Sequence, residues 1–90
     1  MGLNKVIVPG YGFGAEVTLV VAASSASILP VGVILLRELA TGLTVNYYNG
    51  TAWEAVIPAG SGGMVWSDGV NVQIANANTT NTDAYYMPIS

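Results

Sequence analysis

The chain contains no cysteine and no histidine. The first absence removes disulfides, thiolate nucleophiles and thiolate metal sites, and it leaves the redox compartment undetermined. The second removes the commonest general base and metal ligand. Charge is scarce too: 8% of the 90 residues are charged, where an ordinary soluble domain has roughly a quarter. Lys5 and Arg37 are the only cations, against Glu16, Glu38, Glu54, Asp68 and Asp83. No basic patch exists to neutralise phosphates or anionic lipids, which argues against direct nucleic-acid binding. A secretory signal is not expected, because the first apolar run, Val6-Ile7-Val8, stops at Pro9. Val6 also stands where a myristoylation signal wants Ser or Thr.

What the chain has in abundance is apolar surface, with 52% hydrophobic residues. A single domain over residues 1–90 buries only about 60–65% of its unfolded surface. Apolar area left over after folding marks a partner interface or a membrane. The composition therefore predicts self-association or docking, and it speaks against a free cytosolic enzyme.

The organising stretch is 43–75, where Tyr48-Asn49-Gly50-Thr51 and Ser67-Asp68-Gly69-Val70 each separate runs of β-forming residues. Asn-Gly and Asp-Gly are hairpin signals, because a type I′ turn needs positive φ at both central residues. A two-residue turn at Asn49-Gly50 predicts the register 48:51, 47:52, 46:53, 45:54, which places Leu43, Val45, Tyr47, Ala52 and Val56 on one face with Glu54. A turn at Asp68-Gly69 predicts 67:70, 66:71, 65:72, 64:73. Val65, Val70, Val72 and Ile74 then form an inner face, and Met64, Trp66, Asn71 and Gln73 an outer one.

Elsewhere the pattern is also β. Residues 5–8 read as a short strand ended by Pro9 and followed by the glycine-rich segment 10–14. Gly10-Tyr11-Gly12-Phe13-Gly14-Ala15 fits a dinucleotide-binding fingerprint in letters only, since the β-branched Glu16-Val17-Thr18-Leu19-Val20-Val21 follows where a helix should open. Residues 17–36 carry no charge and are long enough for a membrane helix. The Ser24-Ser25-Ala26-Ser27 cluster and Pro30 instead divide them into strands at 16–22 and 31–37 around a connection at 23–30. One short helical turn is allowed at 35–39, with Gly42 as its stop. Residues 76–83 read as a polar loop, and 84–89 as a last strand in which Pro88 suits an edge or an end. The expected fold is all-β: a small antiparallel sandwich or barrel, with room for one short helix.

Chemistry finds little purchase. The only nucleophile dyad would pair Ser24, Ser25 or Ser27 with Lys5, and a serine-rich turn explains those serines better. No spacing brings two of Glu16, Glu38, Glu54 and Asp83 together as a glycosidase pair. Asp68, Asp83 and the Asn side chains lack the calcium-loop pattern. No catalytic residue, cofactor or metal site is expected. Asn49-Gly50-Thr51 and Asn78-Thr79-Thr80 match the glycosylation sequon, which matters only in a secretory pathway. The aromatic residues Tyr47, Tyr48, Trp53, Trp66, Tyr85 and Tyr86 offer stacking surface for sugars or an anchor for a protein interface.

At Tyr48-Asn49-Gly50-Thr51-Ala52-Trp53 and Val65-Trp66-Ser67-Asp68-Gly69-Val70-Asn71-Val72 the chain resembles small virion structural proteins of tailed bacteriophages, the head-decoration, cement and fibre-base modules. The likeness covers roughly 43–75 and rests on hairpin grammar. It implies a compact β-fold, often trimeric, that binds an assembled capsid or tail and has no active site. The expectation is a capsid decoration protein on the virion exterior, forming a homo-oligomer, with a trimer favoured, and contacting the major capsid or other virion proteins. Candidate interface residues are Met64, Trp66, Asn71, Gln73, Trp53 and Tyr48. A carbohydrate-binding module or fibre component, and a small membrane protein spanning at 17–36, are the alternatives.

Overall fold

The computed structural model describes residues 14–89. It is an all-β sandwich of two four-stranded antiparallel sheets, with no helix among the described residues. The strands are β1 (Val17–Val21), β2 (Ser25–Ile28), β3 (Gly32–Leu36), β4 (Leu43–Tyr48), β5 (Trp53–Ile57), β6 (Gly63–Ser67), β7 (Val72–Asn76) and β8 (Thr82–Ile89). The first sheet has the order β1-β8-β3-β6 and the second β2-β7-β4-β5. The chain changes sheet at every connection except β4–β5. The strand expected at 5–8 and most of the glycine-rich segment lie outside the described residues.

Val21, Ile34, Leu36 and Ala84 of the first sheet meet Leu43, Val45, Val72 and Ile74 of the second in one core. Leu29 and Leu39 join it from connections between the sheets. Residues 17–36, expected as two strands, form three: Ser25–Ile28 leaves the anticipated loop to pair with β7. No helix spans this stretch, and no helix of the described residues is long and apolar enough to cross a membrane. The helical turn expected at 35–39 is not formed. Leu39 is buried, its N–H donates to Ser61 O at 3.0 Å, and its carbonyl accepts from Gly60 N at 2.8 Å. Both backbone groups are thus satisfied by the turn before β6, not by a helix. Gly42 does take positive φ (+91°), but in the turn that leads into β4.

The last strand is not an edge. β8 lies between β1 and β3. Pro88 is tolerated because its carbonyl accepts from Gly14 N at 2.7 Å, beyond the start of β1, so its missing N–H faces the same way. Residues expected as a featureless polar loop also have structural work. The buried Asn76 amide donates to Val21 O and Thr80 O, both at 3.0 Å, and its Oδ1 accepts from Asn78 N at 2.8 Å. Asn78 in turn donates to Thr41 O at 2.8 Å and Thr82 Oγ1 at 3.1 Å.

The β4–β5 hairpin forms, but in another register. The observed pairs are Tyr48↔Trp53, Tyr47↔Glu54 and Asn46↔Ala55. Only Gly50 has positive φ, at +100°, so the type I′ turn is not made. Instead Asn49 Oδ1 accepts from Thr51 N (2.8 Å) and Ala52 N (2.9 Å), which closes a four-residue loop. A bulge between Val45 and Asn46 then pairs Val45 with Ile57. That one-residue shift turns Ile57 toward the core and Val56 outward, the reverse of the expected face.

Replacing Ile57 with Ala should destabilise the protein by about 2 kcal/mol, whereas Val56→Ala should stay within about 0.5 kcal/mol. Urea unfolding of both variants checks this, and equal losses would contradict the bulged register. Asn76→Ala should lose about 2–3 kcal/mol by the same measurement, because it strands buried backbone groups without partners.

Candidate functional site

The second expected hairpin does not exist. β6 and β7 belong to different sheets, so the register 66:71, 65:72 is replaced by a corner at residues 68–71. Asp68 Oδ1 accepts from Val70 N (2.8 Å) and Asn71 N (2.7 Å), and its Oδ2 accepts from Asn71 Nδ2 (2.6 Å). Buried Ser67 donates to Leu29 O at 3.0 Å and accepts from Gly69 N at 3.1 Å, which fixes the corner to the β2–β3 connection. Val65 and Val72 therefore reach one core from opposite sheets, and Val70 lies exposed on the corner instead of inside.

This rearrangement disperses the six candidate interface residues. Met64 and Trp66 remain together on the outward face of the first sheet, 65% and 68% exposed. Gln73 faces outward from the second sheet, in line with Ile28 and Asn46. Asn71 is committed to Asp68 in the corner. Tyr48 and Trp53 form a cross-strand aromatic pair on the second sheet, ring centroids 5.2 Å apart and tilted by 56°.

Around Met64 and Trp66 the register builds a surface that the sequence did not disclose. Ile89, Val33 and Trp66 lie abreast across β8, β3 and β6, and Met87, Leu35 and Met64 form the next row. All six are apolar, and their alternation with core-facing Ile34, Leu36 and Val65 puts them on the outside. One end of the face is polar. Arg37 donates through Nε to Glu16 Oε2 (2.7 Å) and through its terminal nitrogen to Oε1 (3.0 Å). The same guanidinium lies 4.7 Å from the Tyr85 ring centroid. The hydrogen bond and the charge of Glu16 hold Arg37 above its ordinary pKa.

The outward face of the second sheet contrasts with this. Its rows are Ala26, Ala75 and Thr44, then Ile28, Gln73, Asn46 and Ala55, small or polar apart from Ile28, with the Tyr48–Trp53 pair and Val56 toward one side. Monomers rarely expose contiguous apolar patches beyond a few hundred Å². Two apolar rows across three strands, with Met64 and Trp66 exposed and the other four half-buried, make this outward face the candidate docking surface.

The chain matches no protein-family model, no curated protein and no solved structure. The surface alone carries the functional argument. Val33, Leu35, Met87 and Ile89 went unnoticed in the sequence because their place depends on strand partners distant in the chain. One local signal was available: Gly32-Val33-Ile34-Leu35-Leu36 is apolar at both alternating positions, which suits a strand covered on both faces.

Lys5 lies outside the described residues, and the other groups weighed for chemistry are scattered. Ser24 and Ser25 donate to the carbonyls of Asn78 and Ala23, and Glu54 accepts from Asn49 Nδ2. No three His, Cys, Asp or Glu side chains cluster for a metal among the described residues. Asp68 has one marked electrostatic feature. The backbone N–H of Asn71, then that of Val70, then the Asn71 amide hold its carboxylate below the ordinary 3.8.

A carboxylate held low in the folded state contributes stability above its unfolded pKa and loses it as pH falls through the folded one. Asp68→Asn should therefore flatten the decline of urea midpoints below about pH 4 relative to the parent chain. Parallel declines in both proteins would remove Asp68 from the corner's pH dependence.

Proposed function

We propose that this chain is a non-enzymatic structural protein that works by burying the outward face of its first sheet in a larger assembly. The apolar block formed by Ile89, Val33, Trp66, Met87, Leu35 and Met64 carries the reading. A face of this composition gains free energy when it leaves water, at about 25 cal/mol per Å², and its six apolar side chains carry no acid, base or nucleophile. Trp66 and Met64 are its most exposed members. The Arg37–Glu16 pair at one border supplies the polar rim that docking surfaces carry around an apolar centre.

The assembly suggested by the sequence resemblance is a phage virion, with decoration of the capsid exterior as the first choice. Low charge suits a protein that buries surface in an assembly, and the small and polar centre of the second face, Ala26, Ala75, Thr44, Gln73 and Asn46, suits the side left to solvent. Contact with virion proteins would draw on this face, and self-association on it or on the strand at its edge. Trp66, flanked by Val33 and Met64 instead of amides, lends no support to a sugar-binding role, for which Trp53 beside Tyr48 is the remaining candidate, and residues 17–36 form strands instead of a membrane helix.

Mass spectrometry of purified particles should detect the chain, and light scattering should show it associating in solution. Trp66→Lys should preserve the fold and weaken particle binding about 30-fold or more, as removal of a central interface anchor does. A monomer absent from particles would overturn the reading.

A further inference from the structure

The edge of the first sheet offers a second contact beside this face. β6 is its terminal strand among the described residues, paired to β3 on one side only. Its residues, Gly63-Met64-Val65-Trp66-Ser67, include no charge and no proline, and its register with β3 has no bulge. Those are the devices that ordinarily keep an edge from pairing. β5, an edge of the second sheet, has two of them: Glu54 lies within it, and the β4–β5 ladder is bulged between Val45 and Asn46. β1, the other edge of the first sheet, lacks charge and proline within the strand but is flanked by Glu16 in its ion pair with Arg37.

We propose that two copies of the chain pair antiparallel through β6, on a two-fold axis at Val65. The inference rests on the self-association reading above and specifies its geometry. With the axis at Val65, each copy's Met64 lies across from Trp66 of the second copy, and the thioether meets the indole twice. No charge meets its own image across the axis. The two sheets become one eight-stranded sheet, and the apolar rows run on without a break. Ile89, Val33 and Trp66 of one copy continue into Met64, Leu35 and Met87 of the other. A two-fold interface of this kind is self-complementary by construction. It differs from the trimer that the sequence resemblance implies.

Five residues of edge are a small contact beside the ~800 Å² per partner of a standard interface, so the pair alone should dissociate with a Kd on the order of 10–100 µM. Docking of the widened face on a third surface then favours the paired form.

The chain lacks cysteine, so Val65→Cys introduces the only thiol. Under mild oxidation the purified full chain carrying Val65→Cys should cross-link as a dimer at least about tenfold more than Ala55→Cys on the β5 edge, because cross-strand neighbours lie within disulfide reach. Sedimentation equilibrium tests the register. Met64→Lys and Trp66→Glu should each weaken dimerisation about tenfold alone, and mixing the two variants should restore a heterodimer in which the introduced ammonium faces the introduced carboxylate. A monomer at all concentrations overturns both this pairing and the self-association reading. Association without Val65→Cys cross-linking, without recovery on mixing, or as a trimer overturns the β6 pairing and leaves the broader reading in place.

Discussion

The amide of Asn76 is the fixed point from which one end of the sandwich is built. Asn76 is 3% exposed and belongs to β7 of the second sheet, yet it donates to the carbonyl of Val21, the last residue of β1 in the first. Its other contacts, to Thr80 O and Asn78 N, shape the turn that returns the chain to the first sheet as β8. Asn78 extends the network to Thr41 and accepts from Ser24 N through its own carbonyl. Three connections far apart in sequence are held by two asparagines. A buried amide has this authority because an unsatisfied one costs about 1–3 kcal/mol, so only an arrangement that satisfies it survives. Ser67 does the same with one hydroxyl at the corner between β6 and β7.

Such fixed points were poorly legible in the sequence. All-β architecture and the presence of turns at Asn49-Gly50 and Asp68-Gly69 follow from local chemistry: glycine at positive φ and a side-chain acceptor before it. Which strand pairs with which does not. The alternation of Val65 and then Val72 with Ile74 is equally compatible with a hairpin in one sheet and a corner between two, because both geometries turn those side chains to the same core. The choice is made by Leu29, whose carbonyl accepts from Ser67 and whose N–H donates to Val72 O at 2.9 Å, a contact between segments far apart in the chain. The bulge at Val45 is hidden for the same reason. Its consequence, Ile57 inward and Val56 outward, depends on how much core the partner sheet offers at that point.

The candidate site was half visible. Met64 and Trp66 stand out because two large apolar residues alternate with core positions, and a register error does not alter that alternation. Asn71 and Gln73 were grouped with them only through a hairpin that does not form. The true neighbours come from β3 and β8, which lie beside β6 and beyond β3 in the sheet but about thirty residues before it and twenty after it in the chain. The last strand, expected at an edge, is central and brings Met87 and Ile89 into the block.

A sheet's sequence records how many of its faces are covered. The second sheet alternates core residues such as Val45 and Ile74 with Asn46, Gln73 and Ala75, the pattern of a sheet with one face in water. The first does not. In β3, Ile34 and Leu36 fill the core while Val33 and Leu35 are apolar on the other side, the composition of a strand buried on both faces. The fold covers only the inner one. Among the described residues the chain supplies two layers, and the outer side of the first sheet has the composition of a covered face without a cover. Nearly every connection crosses between the sheets, so the strands that make up the outer face are brought together by pairings between segments distant in the chain. The apolar rows of that face exist only in the finished sheet, not in its separate strands.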